Sequence, residues 1–270
     1  MSVAPGKTAR MRRFLAPGTD KILCVPMDHG VSNGPLPGLE EMPRLFEAMA
    51  AGGATCAIVH KGHFAALSDY STKFGLMMHL SAGSDLNPDG LDKVLVASVP
   101  EAIRNGADGV SVHVNVGSPT ESKQVEDLGR VAREASEWGV PLLAMMYPRG
   151  AKVKNQFDVD VVKKVARMGA ELGADIVKTP YTGTVETFQE VVRGCPVPVI
   201  VAGGPKMDSD ETILRMVADA VEAGAKGFSI GRNVFQHRNP AGMIRATRTR
   251  TITTRQAPRR KKRRASKRNW

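Results

Sequence analysis

Lys178 stands where chemistry is easiest to argue from residue types. It follows the apolar run Ile176-Val177 and precedes Thr179-Pro180-Tyr181, so a strand there brings its ammonium to the edge of an apolar interior. Desolvation disfavours the charged form and lowers the lysine pKa. A neutral amine attacks a ketone and forms a Schiff base. The plain alternative is a strand-end lysine reaching water. Carbon–carbon cleavage through an imine also needs two proton carriers, one for the carbinolamine and one for the hydroxyl that is lost. Tyr147 and Asp28 have the right chemistry, set against the plainer roles of rim phenol and turn carboxylate. Gly203-Gly204 and Gly231-Arg232 suit a phosphate, since glycine lets backbone N–H groups come close and arginine adds a bidentate charge; tight turns are the simpler reading. His60, His79 and His113 lack the compact spacing of a metal motif. They are expected to be hydrogen-bonded core or rim residues, and no metal is expected.

These residues share a position relative to a repeated phrase. A helix-like stretch ends in Gly-Ala and a β-rich run follows, at Gly53-Ala54, Gly106-Ala107, Gly173-Ala174 and Gly224-Ala225. Glycine there suits the left-handed residue that closes a helix. Near-continuous Val/Ile/Ala runs suit parallel strands buried on both faces. Eight strands are predicted, at about 21–28, 55–61, 75–81, 109–116, 141–147, 174–179, 198–203 and 226–231. Residues 159–173 read as an amphipathic helix with Val162, Val165, Ala166, Met168 and Gly169 on one face, 211–224 read likewise, and 62–74 read as a loop. Eight β-α units predict an α/β fold, a single-domain TIM barrel, over a doubly wound open sheet. The first run ends in Asp28-His29-Gly30 with no G-x-G-x-x-G, which weakens the open-sheet alternative. In a barrel the polar residues at strand ends meet at one mouth. Those residues are Asp28, His29, His60, Lys61, His79, Ser81, His113, Asn115, Tyr147, Arg149, Lys178, Tyr181, Lys206, Arg232 and Asn233.

VPMDHG (25–30), AMMYPRG (144–150), DIVKTPYTG (175–183), VAGGPK (201–206) and IGRNVFQH (230–237), in this order, resemble the archaeal-type class I aldolases (DeoC/FbaB-like). The resemblance covers about residues 10–246. It implies that Lys178 is the Schiff-base lysine, Tyr147 the proton donor and Asp28 the proton acceptor. It implies substrate binding by Asp28, His29, Gly30, Val31 and Ser32, by Tyr147, Pro148 and Arg149, and by Gly203, Gly204, Gly231 and Arg232. HVNVG (113–117), the Met-rich MMYPRG and VKT look closest to the branch that makes 2-amino-3,7-dideoxy-D-threo-hept-6-ulosonate. The implied reaction is aldol exchange between 6-deoxy-5-ketofructose 1-phosphate and L-aspartate semialdehyde, toward aromatic amino acids. Fructose-1,6-bisphosphate aldolase and other enzymes using dihydroxyacetone phosphate are the alternatives within the family. The resemblance implies no cofactor, a phosphorylated keto-sugar and a small aldehyde as partners, and a homo-oligomer.

Hydrophobic residues are 42% of the 270, enough to exclude a wholly disordered chain, while only 5% are aromatic, so aliphatic side chains must fill the core. The formal charge of +11 is local: residues 246–270 hold 11 Lys or Arg and no acid, which leaves 27 basic and 27 acidic groups in the rest. No apolar run approaches the roughly 20 residues of a membrane span. Residues 1–18 are basic without an apolar stretch, which speaks against secretion. Cys24, Cys56 and Cys195 have neither disulfide nor zinc spacing and read as buried thiols of a cytoplasmic protein. Asn239 and Pro240 begin a last helix, but the following Thr/Arg run predicts truncation. The division expected is a barrel over 1–248 and a disordered basic tail over 249–270. The run 257–268 predicts weak, nonspecific attraction to polyanions; nucleic-acid binding is the reading from another functional class.

Overall fold

The computed structural model describes residues 5–255. Eight parallel strands close into a barrel: β1 (Ile22–Pro26), β2 (Cys56–Val59), β3 (Gly75–His79), β6 (Gly109–Val116), β7 (Leu142–Pro148), β8 (Ile176–Thr179), β9 (Val199–Ala202) and β10 (Gly227–Ser229). Their order around the barrel is β1-β10-β9-β8-β7-β6-β3-β2, and two short antiparallel strands, β4 (Ser81–Ala82) and β5 (Val94–Leu95), pair outside it. Every predicted strand is present. The expected glycines close their helices in the left-handed region, with φ of 77° at Gly53, 85° at Gly106, 99° at Gly173 and 110° at Gly224.

The period of two sorts each strand into an inner and an outer face. Val177 and Val201 face the surrounding helices in the large outer core. Cys24, Cys56, Ile58, Met77, Leu143, Met145, Ile176 and Ile200 fill the barrel interior. Helices α3 (Met42–Gly52), α5 (Glu121–Glu137), α6 (Val159–Glu171), α7 (Val185–Gly194) and α8 (Asp210–Glu222) cover the outside, with α4 (Val99–Arg104) as a shorter member. In α6 the buried residues are Val162, Val165, Ala166 and Gly169, the predicted face, with Met168 half-buried beside them. Residues 62–74 are not plain loop: two 3₁₀ turns, Lys61–His63 and Ala65–Tyr70, carry Leu67 into the core.

Two features depart from expectation. First, α1 (Pro5–Arg12) precedes the barrel and leads Phe14 into its floor, fully buried. A Cβ at Gly75 would lie 2.6 Å from that ring, and one at Gly109 2.8 Å. These two glycines make room for the plug. Lys7 pairs with Asp175 at 3.0 Å and Arg10 donates to Gly139 O at 2.9 Å, fixing the segment from outside.

Second, the last helix runs a few residues past the break expected near residue 250. After the short α9 (Arg232–Phe235), α10 runs from Pro240 to Thr253, with the Asn239 side chain accepting from Gly242 N as the expected cap. Its threonines satisfy their hydroxyls internally: Thr247 Oγ1 donates to Met243 O at 2.9 Å, and Thr251 Oγ1 to Thr247 O at 2.8 Å. Their methyl groups then join Met243 and Ile244 in one buried stripe. Gly52 in α3 admits Ile244, whose Cβ would stand 2.7 Å from an added Cβ. α10 therefore packs against α3 and α8 and completes the outer layer after β10. Residues 256–270, which hold most of the expected tail, lie outside the described residues.

Candidate active site

Strand alternation continues past the barrel interior into the mouth. Ile176 points inward on β8, so Lys178 does too, beside Met145 of β7 in register. On β7, inward Leu143 and Met145 are followed by Tyr147. On β6, Val110, Val112 and Val114 face the helices, which turns Ser111, His113 and Asn115 inward. The result is a cavity of about 1100 Å³ at the C-terminal strand ends, lined by Asp28, His79, His113, Tyr147, Lys178 and Arg232 among others.

Lys178 is 6% exposed, and its Nζ lies 3.9 Å from Met145 Sδ. Burial pushes its pKa down, but Tyr147 and Asp28 more than offset this, so the net direction is upward. The sequence-based expectation of a lowered pKa is therefore corrected. Desolvation is present as argued, and the two oxygen-bearing neighbours outweigh it. The resting lysine is an ammonium held ready between a phenol and a carboxylate.

Asp28 lies two residues after β1, at the N-cap position of α2 (His29–Asn33), where its side chain makes no capping bond and is left to the cavity. Its Oδ2 lies 3.6 Å from His79 Nε2, and its Oδ1 3.6 Å from His29 Nδ1. Burial alone would raise its pKa, but His79, His29, Lys178 and His60 hold it well below the usual carboxylate range. His79 is pushed down to about 3, by burial first, so at neutral pH the imidazole is uncharged. Its Nδ1 shares a 2.8 Å hydrogen bond with Ser111 Oγ. His113 is also held well below its ordinary value, by burial and by Arg149, and its Nε2 bonds Asn115 Oδ1 at 2.9 Å. The three histidines thus meet at the mouth as neutral, mostly partnered rings. Among the described residues no group of three or more His, Cys, Asp or Glu is placed to hold a metal ion.

Arg149 lies over the Tyr147 ring, its Cζ 4.5 Å from the centroid, and the His113 ring packs on Tyr147 at 5.0 Å. The phenol is thereby fixed between a cation and an imidazole. Across the mouth, Gly203, Gly204, Gly231 and Arg232 line the cavity. A Cβ at Gly231 would lie 2.7 Å from both His29 Cε1 and Pro26 O, whereas Gly204 is open but has φ +67°. One glycine serves close approach, the other serves conformation. Asn233 ties the two loops together: it donates to Gly203 O at 3.2 Å and Pro205 O at 2.9 Å, and accepts from Met207 N at 2.7 Å.

His29 and Ser32 line the cavity as expected, but Gly30, Val31 and Pro148 do not. Gly30 and Val31 lie on the exposed side of α2, and Pro148 points away from the mouth one residue after Tyr147. Lys206 and Lys61 also turn away, to Gln236 O and to Glu101. Lys93 reaches the cavity without having been expected. It follows a stretch rich in Gly, Ser, Asp, Asn and Pro that reads as a plain connection, and only the fold brings it to the mouth.

A closed parallel barrel with a buried lysine between carboxylate and phenol, opening onto a glycine-rimmed cavity, defines a lysine-dependent, class I type of aldolase. The chain belongs to the DeoC/LacD family of aldolases, whose family profile matches residues 22–237. It is 45% identical over 246 residues to 2-amino-3,7-dideoxy-D-threo-hept-6-ulosonate synthase 1 of Archaeoglobus fulgidus, covering 89% of each chain. It is 42% identical over 239 residues to 2-amino-4,5-dihydroxy-6-oxo-7-(phosphonooxy)heptanoate synthase of Streptomyces griseus, covering 88% of this chain and 87% of that one. Among solved structures it resembles an archaeal fructose-1,6-bisphosphate aldolase with the catalytic lysine bound to the carbinolamine intermediate. The TM-score is 0.85 at 31% identity, over 91% of this chain and 99% of that one. Among the described residues no helix is long and apolar enough to cross a membrane.

Proposed function

We propose that this enzyme condenses a keto-sugar-derived enamine with L-aspartate semialdehyde to give 2-amino-3,7-dideoxy-D-threo-hept-6-ulosonate. The observation that carries the reading is Lys178, buried at the mouth with Tyr147 and Asp28 acting on its charge. Lys178 gives up its proton, and its amine adds to the ketone of 6-deoxy-5-ketofructose 1-phosphate. Tyr147 passes the proton that lets the carbinolamine lose water. Asp28 accepts the proton of the hydroxyl on the carbon that departs. The carbon–carbon bond then breaks, its electron pair stays as an enamine, and hydroxypyruvaldehyde phosphate leaves. The enamine adds to the acceptor aldehyde, which takes up a proton, and water frees Lys178. Gly203, Gly204, Gly231 and Arg232 hold the phosphate of the donor and set the register of the reacting carbons.

Resemblance to the Streptomyces griseus enzyme favours a second donor, dihydroxyacetone phosphate, whose product keeps its phosphate. Mass analysis of products separates the two. L-aspartate semialdehyde offered with each donor is expected to give a phosphate-free heptulosonate with the deoxy sugar. A phosphorylated product formed only from dihydroxyacetone phosphate would replace the first reading with the second. Fructose 1,6-bisphosphate cleaved faster than either pair reacts would point to the sugar aldolase. For the basic run 257–268 we infer weak polyanion attraction with no part in this chemistry.

A further inference from the structure

Arg232 lines the cavity half-buried, and its Nε is buried with no hydrogen-bond partner. Among the described residues no carboxylate oxygen lies within 4.0 Å of its guanidinium. Burial lowers its pKa, and Tyr147 and Arg149 act on it in opposite directions. The cations between β9 and the end of α8 are engaged elsewhere. Arg215 pairs with Glu211 at 3.4 Å, and Lys206 donates to Gln236 O at 2.8 Å. A partly buried guanidinium without a counter-charge favours an anion in front of it. β9 alone separates β8, which carries Lys178, from β10, which leads into Gly231-Arg232. His29 lines the cavity and feels the charges of both Lys178 and Arg232. A molecule joined to Lys178 and held by Arg232 therefore runs along one side of the mouth, past His29 and Asp28.

Reaction chemistry sets what that anion is at each stage. The donor's phosphate departs on hydroxypyruvaldehyde phosphate, and the acceptor aldehyde then adds to the same enamine carbon. The acceptor must enter the space the departing fragment leaves. The two molecules are matched in reach. In the fragment, four bonds separate the aldehyde carbon from phosphorus. In L-aspartate semialdehyde, three bonds separate the aldehyde carbon from the carboxylate carbon. An arginine fork takes phosphate and carboxylate alike, through two parallel N–H groups. One guanidinium can thus serve both anions in turn.

We propose that the Gly203-Gly204 and Gly231-Arg232 loops form one shared anion site, holding the donor's phosphate in the first half of the reaction and the acceptor's carboxylate in the second. This rests on the reading of the donor as a sugar whose phosphate leaves with the departing aldehyde. The two anions exclude each other, so the fragment departs before the acceptor enters. Free phosphate then blocks both halves. Arg232 selects the acceptor as well as the donor.

The test reads each half by the kcat/KM of its own substrate in Arg232→Met. Both values should fall by about tenfold or more, the scale of one charged hydrogen-bonded contact. The acceptor's carboxamide, which lacks the negative charge, should be about tenfold poorer than the acceptor with the wild type and about equal to it with Arg232→Met. Borohydride trapping with hydroxyacetone, a ketone carrying neither anion, should change by less than about threefold, which separates the loss from damage to Lys178. If the methionine variant does not fold, Arg232→Lys, which keeps the charge and loses the fork, should lower both values by a smaller factor. On the wild type, inorganic phosphate should displace L-homoserine, which has the acceptor's charged groups and no aldehyde, in an NMR titration. An acceptor kcat/KM within about twofold of wild type while the donor value falls would overturn the proposal, as would the lack of any displacement. Product analysis with the deoxy sugar checks the parent reading separately. A phosphate-free heptulosonate without displacement sinks the shared site alone, and displacement without that product sinks the donor reading alone.

Discussion

At the scale of single residues, the site works by opposed effects on one lysine. Burial pushes the Lys178 pKa down, and Tyr147 and Asp28 more than offset it, so the group stays protonated. The ammonium must therefore lose its proton when substrate arrives, and Tyr147 is the titratable hydroxyl beside it. Tyr147→Phe keeps the ring between Arg149 and His113 and removes only the proton carrier. It is expected to lower kcat by about 10²–10⁴-fold with little change in urea midpoint. A loss under threefold in steady-state assays would remove Tyr147 from proton transfer. Lys178, Tyr147, Asp28 and Arg232 were legible as types at predicted strand ends. The direction of the lysine shift was not, because it depends on which oxygens face Nζ across the barrel. Lys93 was illegible for a related reason, since only the paired strands β4 and β5 bring its loop over the mouth.

At the scale of elements, the β9 and β10 loops separate two uses of glycine. Gly231→Ala would force a methyl to within 2.7 Å of Pro26 O and His29 Cε1, displacing β10 or α2. Gly204→Ala meets no atom within 4 Å but must hold φ near +67°. The second change should cost about 1–2 kcal/mol of stability, read from urea unfolding, and leave the donor KM within a few-fold. Gly231→Ala should raise the donor KM by tenfold or more. Equal donor KM values in the two variants would contradict a role for the Gly231 contact in shaping the phosphate side. Gly-Ala helix endings were readable from sequence because left-handed closure has a strong residue signature. The extent of α10 was not, since threonine counts as polar until its hydroxyl bonds the carbonyl four residues back. Thr247 and Thr251 do this while their methyls pack inward.

At the scale of the whole molecule, barrel closure gathers His60, His79 and His113 around one mouth, and its low polarity holds them neutral. This has a pH consequence with a definite sign. His79 titrates at 6.5 when unfolded and at about 3 when folded, so between these values the unfolded chain binds more protons. Stability is therefore lost as pH falls below about 6.5, by about 1 kcal/mol from His79 alone between pH 7 and pH 5.5. His79→Gln should remove that part of the slope in urea unfolding, and an unchanged slope would show that His79 takes up its proton in the folded state. The repeated phrase marked four of the strands, apolar runs marked the others, and barrel geometry then placed the mouth. The Phe14 plug did not, because its fit depends on Gly75 and Gly109 being neighbours across the barrel floor.

The central claim is the imine on Lys178, and borohydride trapping with 6-deoxy-5-ketofructose 1-phosphate tests it most directly. Intact mass and peptide mapping should show one reduced adduct, on Lys178, absent from Lys178→Ala. Its rate of formation should rise with pH, close to tenfold per unit below the lysine pKa, because only the free amine attacks. An adduct on another lysine, or none on a folded sample that turns over substrate, would contradict the account.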